Sequence, residues 1–382
     1  MIYLDYAATA PLRPEIALRI SELSSEPLGN PSSLHRAGRR ARMILEQARE
    51  KCSDLLGAKV EEIVFCSGAT EADNLAIQGV LTHGDSSCER IITSEMEHAA
   101  VFETVKRLQA SNTPVTWLNV NTEGLIALDQ LRQDLESNPK CALVSVIVSN
   151  NEVGAKQDLL TISKLCREHG ALLHADGVQD PQTACKLIKT GAVDLLALSG
   201  HKMGGLHGGL LYVRQGVPVN PQILGGAQED GRRAGTSELL RAESLAMALE
   251  ATLNTDPETT KSYRDKFESQ LLALPKSTRL GPKDEQNRVA HISSWLFDDL
   301  PAEPILVQLD MKGVCASSGS ACSSHSVEPS RVIKAMGYND EQAMALVRFS
   351  FGWNSKEEEI QRAAQIVGEV IDRMMSKERK RR

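Results

Sequence analysis

No stretch of this sequence approaches the ~18 consecutive apolar residues that a membrane-spanning helix requires, which argues against a membrane protein. Met1-Ile2-Tyr3-Leu4-Asp5 has neither the basic segment nor the apolar core of a secretory signal. The eight cysteines, at 52, 66, 88, 141, 166, 185, 315 and 322, include no Cys-x-x-Cys pair. Thiols dispersed in this way read as reduced and intracellular, not as a disulfide scaffold. Cys322 and His325 are a close Cys/His pair, as are Cys166 and His169, but the two lie far apart in sequence and not at zinc-ligand spacing, so no metal is expected. Internal repeats and low-complexity tracts are absent as well. Basic charge is not in excess: 43 Lys and Arg against 50 Asp and Glu leave a net charge of −7, which argues against nucleic-acid binding through the body of the protein. The one basic run, Lys377-Glu378-Arg379-Lys380-Arg381-Arg382, reads as a frayed and solvated helix end. The expectation is a cytoplasmic protein.

What remains is ordinary globular composition over 382 residues, 41% hydrophobic and 24% charged. A chain this long buries about 75% of its unfolded surface, enough to fold without disulfide or metal. Arg36 to Leu56 carries Ile44, Leu45, Ala48, Cys52, Leu55 and Leu56 at helical spacing. Strand-like runs follow at 62–66, 90–93, 115–120 and 141–148, separated by helical segments through 76–80 and about 98–109. The run 141–148 is continuously apolar, as a strand covered on both faces should be. This alternation predicts an α/β fold with a mainly parallel sheet between helices. A boundary is read at Asp256-Pro257-Glu258. The expected division is a large unit over 15–255 and a smaller α+β unit formed by 1–14 and 256–382.

In parallel sheets, ligands gather outside the carboxyl ends of the strands. Four segments follow predicted strand ends: Ser67-Gly68-Ala69-Thr70, Asn150-Asn151-Glu152, Asp176, and Ser199-Gly200-His201-Lys202. A lysine beside the apolar run 193–198 has the setting of a Schiff-base lysine, since lysines rarely sit there unless paired or reacted. Asp176 ends the apolar strand 171–175 and could pair with the pyridine nitrogen of pyridoxal phosphate. Ser67 to Thr70 reads as a strand, a glycine turn and a helix start, a setting that cradles phosphate. His98 could stack on a planar ring or cap its helix. Gly225-Gly226 with Arg232-Arg233-Ala234-Gly235-Thr236 reads either as a second basic, Gly-rich binding segment or as an ordinary loop. Eight small residues around one thiol, Ala316 to Ser324, predict an exposed, mobile loop presenting Cys322 as a nucleophile. Cys52, Cys66, Cys166 and Cys315 read as structural.

Together, Ser199-Gly200-His201-Lys202, the tract Ser317-Ser318-Gly319-Ser320-Ala321-Cys322 and the N-terminal Tyr3-Leu4-Asp5-Tyr6-Ala7-Ala8-Thr9 strongly resemble the cysteine desulfurases. These are class V, fold-type I pyridoxal-phosphate enzymes, and the long loop is similar to that of the group supplying sulfur for iron–sulfur clusters. The resemblance runs nearly end to end, to Arg348-Phe349-Ser350. It implies conversion of L-cysteine to L-alanine with a persulfide left on Cys322. Lys202 would carry the cofactor and move protons at the substrate Cα, and Asp176 would pair with the ring nitrogen. Gln179 would bond the phenolate oxygen, and His98 would stack on the ring. Ala69, Thr70, Ser199 and His201 would hold the phosphate, with Thr236 reaching it from a partner subunit. Asn151 and Arg348 would bind the substrate carboxylate. A homodimer and a sulfur-acceptor protein, either an iron–sulfur scaffold or a carrier, are also implied. Two departures stand out. Met203 to Gly209 lacks the usual Gly-Pro-Lys-Gly and is one residue shorter, and Gln179 is followed by Asp180-Pro181. Selenocysteine lyase, another class V lyase, or a non-catalytic regulator using the basic tail are the alternatives.

Overall fold

A computed structural model describes residues 1–84, 88–138, 140–297, 300–319 and 328–381. Its strands are β1 (Ile2–Tyr3), β2 (Ile63–Cys66), β3 (Arg90–Ser94), β4 (Val115–Leu118), β5 (Ala142–Ile147) and β6 (Leu172–Asp176). They continue with β7 (Leu195–Ser199), β8 (Gly209–Val213), β9 (Ser277–Arg279), β10 (Ile292–Phe297), β11 (Val314–Cys315) and β12 (Leu346–Ser350).

The amphipathic stripe predicted over 36–56 is the helix Arg36–Leu56, and it buries Ile44, Leu45, Ala48, Cys52 and Leu56. It stops at Gly57, whose φ of +66° is a left-handed conformation that a residue without Cβ adopts freely. An earlier helix, Pro14–Ser24, precedes the first predicted one, and its leading proline is already set for the first helical position.

Seven strands form the main sheet in the order β2-β8-β7-β6-β5-β3-β4. From β7 to β4 every pairing is parallel. β8 runs antiparallel to both β7 and β2. The sheet is therefore mixed and mostly parallel, with a single reversed strand. The reason is local: β7 and β8 are joined by only residues 200–208, too short for the crossover that a parallel pair needs. Because β8 alone is reversed, β2, β3, β5, β6 and β7 all end on the same rim.

A second apolar cluster gathers Ile2 and Leu4 with Phe267, Trp295, Phe297, Phe349 and Phe351, beneath the helix Glu357–Arg381. Each such aromatic contributes about 1.5–3 kcal/mol through burial. Here β12, β10 and β9 form an antiparallel sheet, while β1 pairs with β11, Ile2 opposite Val314. Ser350 N donates to Leu4 O at 2.8 Å, so the N-terminal segment is stitched to β12. From there the chain crosses to the main sheet, where Ala10 N donates to His201 O at 2.9 Å. No helix among the described residues is long and apolar enough to cross a membrane.

Candidate active site

A cavity of about 440 Å³ opens where the shared rim meets the N-terminal segment and β12. Of the residues singled out from the sequence, Ala69, Thr70, His98, Asn151, Asp176, Gln179, Ser199, His201, Lys202 and Arg348 all line it. They come from six separate stretches of chain. Thr236 lies outside this cavity, on an exposed loop of its own chain. Cys322 lies outside the described residues. Gly319, three positions before it, is part of the cavity wall.

At one end of the cavity the helix Ala69–Leu81 begins at Gly68 with no side-chain hydrogen bond to cap it. Its first N–H groups and their partial positive charge therefore face the opening, a ready setting for an anion. Gly209 makes the cradle possible. A Cβ there would stand 2.3 Å from the Gly68 carbonyl, so any larger residue would push the cradle out of place. Ser199 ends β7, and His201 follows in a short 3-10 turn, its Nδ1 3.1 Å from Thr9 Oγ1. Burial, aided by Lys202 and His207, lowers the His201 imidazole to about 4, which leaves it neutral at pH 7. His207, from the shortened segment 203–209, stacks on it with ring centroids 4.6 Å apart.

Asp176, the last residue of β6, occupies the opposite wall at 3% exposure. Its Oδ1 accepts from Val178 N at 3.0 Å. Burial, then the charge of Asp73, raises its carboxyl to about 6. Asp73 lines the same cavity, and neither of its oxygens is hydrogen-bonded by a described residue. Two buried carboxylates, one of them without a hydrogen bond from a described residue, make a negative wall that a cationic ring nitrogen would complement. Gln179 is held at both ends: Nε2 donates to Ala7 O at 2.9 Å, and Oε1 lies 3.2 Å from His291 Nε2. Burial lowers His291 to about 4, so that ring is neutral too.

Between the two ends, Lys202 Nζ donates to Ala7 O and Ala8 O, both at 2.6 Å. His98 serves as the N-cap of the helix Ala99–Ala110, with Nδ1 accepting from Ala100 N, and it also lines the cavity. Capping and facing a ring are thus compatible roles for one side chain.

Arg348, on β12 and 2% exposed, donates to Asn151 O at 2.8 Å and to Asp5 Oδ1 at 2.9 Å. Its Nε is buried without a hydrogen-bond partner among the described residues. The same residue exchanges two backbone hydrogen bonds with Ser317, at 2.7 and 3.1 Å. The opening of the small-residue tract therefore differs from the exposed loop its composition predicts. Ser317 and Gly319 are buried, Ser317 because its backbone joins β12 and Gly319 against the side chains of Leu346 and Glu152. A Cβ at Gly319 would meet Leu346 and the carboxylate of Glu152, so only glycine fits that passage.

The second Gly-rich segment turns its arginines inward: Arg233 pairs with Glu71 at 2.7 Å, and Arg232 donates to Glu61 O at 2.7 Å. Within its own chain the segment is anchored by these two arginines. Cys52, Cys66 and Cys166 are buried, and burial pushes all three thiols far up, Cys52 and Cys166 to about 12. Sequence reasoning missed Asp73, His291 and the Ala7 and Ala8 carbonyls. For Asp73 a signal was available, as a lone acid among Ala72, Leu75, Ala76 and Ile77 on the buried face of its helix.

The ends and middle of this cavity match a planar, phosphorylated, cationic heterocycle bound through an amine. The Aminotransferase class-V family matches residues 2–363. A cysteine desulfurase IscS of Dictyoglomus turgidum is 36% identical over 378 residues, 98% of this chain and 95% of that protein. A cysteine desulfurase of Trichormus azollae is 38% identical over 379 residues, 98% and 94% of the two chains. Among solved structures, a NifS-like protein superposes with a TM-score of 0.89 at 28% identity, covering 97% of this chain and 99% of that one. SspA in complex with cysteine does so with a TM-score of 0.79 at 29% identity, covering 92% and 99%. Members of these families depend on pyridoxal phosphate. By full-length similarity as well as by fold, the chain belongs to the class-V aminotransferase family and, within it, to the cysteine desulfurases.

Proposed function

We propose that this chain binds pyridoxal 5'-phosphate in the rim cavity and converts L-cysteine to L-alanine, with the sulfur retained as a persulfide on Cys322. The observation that carries the reading is the convergence, in one cavity, of an uncapped helix N-terminus, a buried carboxylate wall, a lysine amine between them and a buried arginine. When bound, the cofactor supplies a ring able to spread the charge that develops at the substrate Cα.

The chain's own residues divide the remaining work. Ala69, Thr70, Ser199 and His201 surround the phosphate end, His201 as a neutral donor or acceptor and not as a cation. Asp176 faces the ring nitrogen, Gln179 the ring oxygen and His98 the ring face. Lys202 holds the cofactor and carries a proton to or from the substrate Cα. The Ala7 and Ala8 carbonyls aim its amine into the cavity. Asn151 and Arg348 receive the substrate carboxylate, with the unpartnered Nε as one available donor. The thiolate of Cys322 takes the substrate sulfur: the Cβ–S bond of cysteine breaks, an S–S bond forms, and a proton replaces sulfur on Cβ. An ordinary thiol, with a pKa of about 8.5, needs a proton acceptor for this.

Thr236 reaches the phosphate of a second subunit, which its exposure away from its own cavity supports and which implies a homodimer. Delivery to an iron–sulfur scaffold or another sulfur carrier, in the cytoplasm, completes the reading. The division into 15–255 and 1–14 with 256–382 is supported by the separate aromatic cluster built from Ile2, Leu4 and residues beyond 263. Incubating the purified protein with pyridoxal phosphate and L-cysteine tests the whole scheme. Alanine should appear, and the Cys322 peptide should gain the mass of one sulfur atom. Absence of alanine would refute it.

A further inference from the structure

Behind Asp176 stands a polar assembly that the reading above leaves without a role. Asp73 lies in the second turn of the helix Ala69–Leu81 and is 1% exposed. His174 stands beside it, with Nε2 3.4 Å from Asp73 Oδ1. His174 sits on β6 two residues before Asp176, so the two side chains leave the same face of the sheet. Its Nδ1 is 2.8 Å from the hydroxyl of Ser145, which stands directly opposite in the β5–β6 register. On β3, the next strand over, Thr93 donates to the Ser145 carbonyl at 2.9 Å.

All of these groups are buried, and β5, β6 and β7 around them are mostly Leu, Val, Ile and Ala. Apolar side chains would pack that interface without the desolvation cost of acids and an imidazole. An acid serving the fold would be saturated with hydrogen bonds, as buried polar groups nearly always are. Asp73 has none from the described residues, and the residue is part of the cavity lining that also includes Asp176, its two oxygens buried just behind the surface. Its charge is already felt there, as the second cause, after burial, that pushes the Asp176 carboxyl up.

We propose that Asp73 is a positioning residue for the nitrogen end of the cavity: seated beside His174, its negative charge joins that of Asp176 in drawing a cationic ring nitrogen to this wall. The inference rests on the cavity being a pyridoxal-phosphate site. With the Ser145 hydroxyl donating to Nδ1, the His174 proton lies on Nε2, the nitrogen that approaches Asp73 to 3.4 Å without forming a hydrogen bond. That approach places the imidazole beside the acid while leaving the acid's charge unspent in the cofactor-free protein. The arrangement carries a built-in trade: two like charges strain the cofactor-free protein, and a cation in the cavity relieves both.

The trade makes the test specific. Full-length chain stripped of cofactor is titrated with pyridoxal phosphate, and the thermal unfolding of the same cofactor-free preparation is recorded, for wild type, Asp73→Asn and Asp73→Glu. Asp73→Asn should weaken pyridoxal-phosphate binding about tenfold, the scale of one partly screened charge a few ångströms away. Its cofactor-free melting temperature should hold or rise by a few degrees. Asp73→Glu, which keeps the charge, should recover most of the affinity. Unchanged affinity in Asp73→Asn overturns the proposal, as does a cofactor-free protein destabilised in step with its loss of affinity. A wild-type chain that takes up no pyridoxal phosphate instead removes the functional reading beneath it.

Discussion

Replacing Arg348 with lysine keeps one positive charge in the cavity but changes what that charge can do. The guanidinium spends one N–H on Asn151 O and one on Asp5 Oδ1, at 2.8 and 2.9 Å, and keeps Nε without a partner among the described residues. A lysine ammonium is a single point with no planar fork. It cannot satisfy Asp5 and the Asn151 carbonyl and still present a further donor to a substrate carboxylate. Losing one hydrogen bond between charged groups costs about 1.5–3 kcal/mol. Since about 1.4 kcal/mol is a factor of ten, the KM for L-cysteine should rise roughly ten- to a hundredfold. The resting cofactor spectrum should not move, because the lysine, carboxylate and phosphate contacts are untouched. Steady-state alanine release against cysteine concentration, with absorbance of the resting protein, separates these effects. An unaltered KM accompanied by a lower melting temperature would mean that Arg348 works only as a clamp between Asp5, Asn151 and Ser317, and the substrate assignment would be wrong.

Lys202→Ala should abolish covalent attachment of the cofactor; in wild type, borohydride reduction should fix it to the peptide containing Lys202, and mapping to another lysine would end that assignment. Cys322→Ser should still show a spectral change on adding cysteine but release almost no alanine and carry no persulfide, whereas Cys315→Ser should leave turnover largely intact. The reverse pattern would identify the wrong nucleophile. The Asp176 carboxyl, raised from 3.8 to about 6, holds its proton more tightly in the folded, cofactor-free protein than in the unfolded chain. Stability of that form should therefore fall as pH rises from about 4 to about 6, by at most about 3 kcal/mol from this group. Asp176→Asn should remove this slope, and identical pH profiles for variant and wild type in chemical denaturation would contradict it.

Elements whose burial has a period were readable from residues alone. The helix Arg36–Leu56 announces itself through a stripe from Ile44 to Leu56 and a terminal glycine, and β5 through six continuous buried residues. Strand direction was not readable. β7 and β8 are equally apolar, and a strand covered on both faces has the same composition whichever way it runs. The reversal of β8 resides in the length of its connection. Likewise, the composition of Ala316 to Gly319 reports small side-chain volume but is silent about backbone pairing, and it was pairing with Arg348 that buried Ser317. Lys202, Asp176 and the 67–70 cradle were visible because each follows a strand end. The carbonyls of Ala7 and Ala8 were not, since an acceptor on the backbone leaves no mark in side-chain identity.

Those two carbonyls show why the cavity depends on both apolar clusters. Residues 2–4 are fastened to β11 and β12 among the aromatics. A few residues later the same strand of chain receives Lys202 and Gln179 from the main sheet. Arg348 reaches the cavity from β12 and is braced by Asp5 on that same segment. A displacement of the aromatic cluster would thus move the arginine and the carbonyls holding the lysine together, keeping their mutual geometry. The Asp176 wall and the helix N-terminus would stay with the main sheet. Loosening the N-terminal segment should therefore disturb the spacing between the arginine and the phosphate cradle before it disturbs either one, so substrate placement is the property of this site most exposed to changes in residues 2–10.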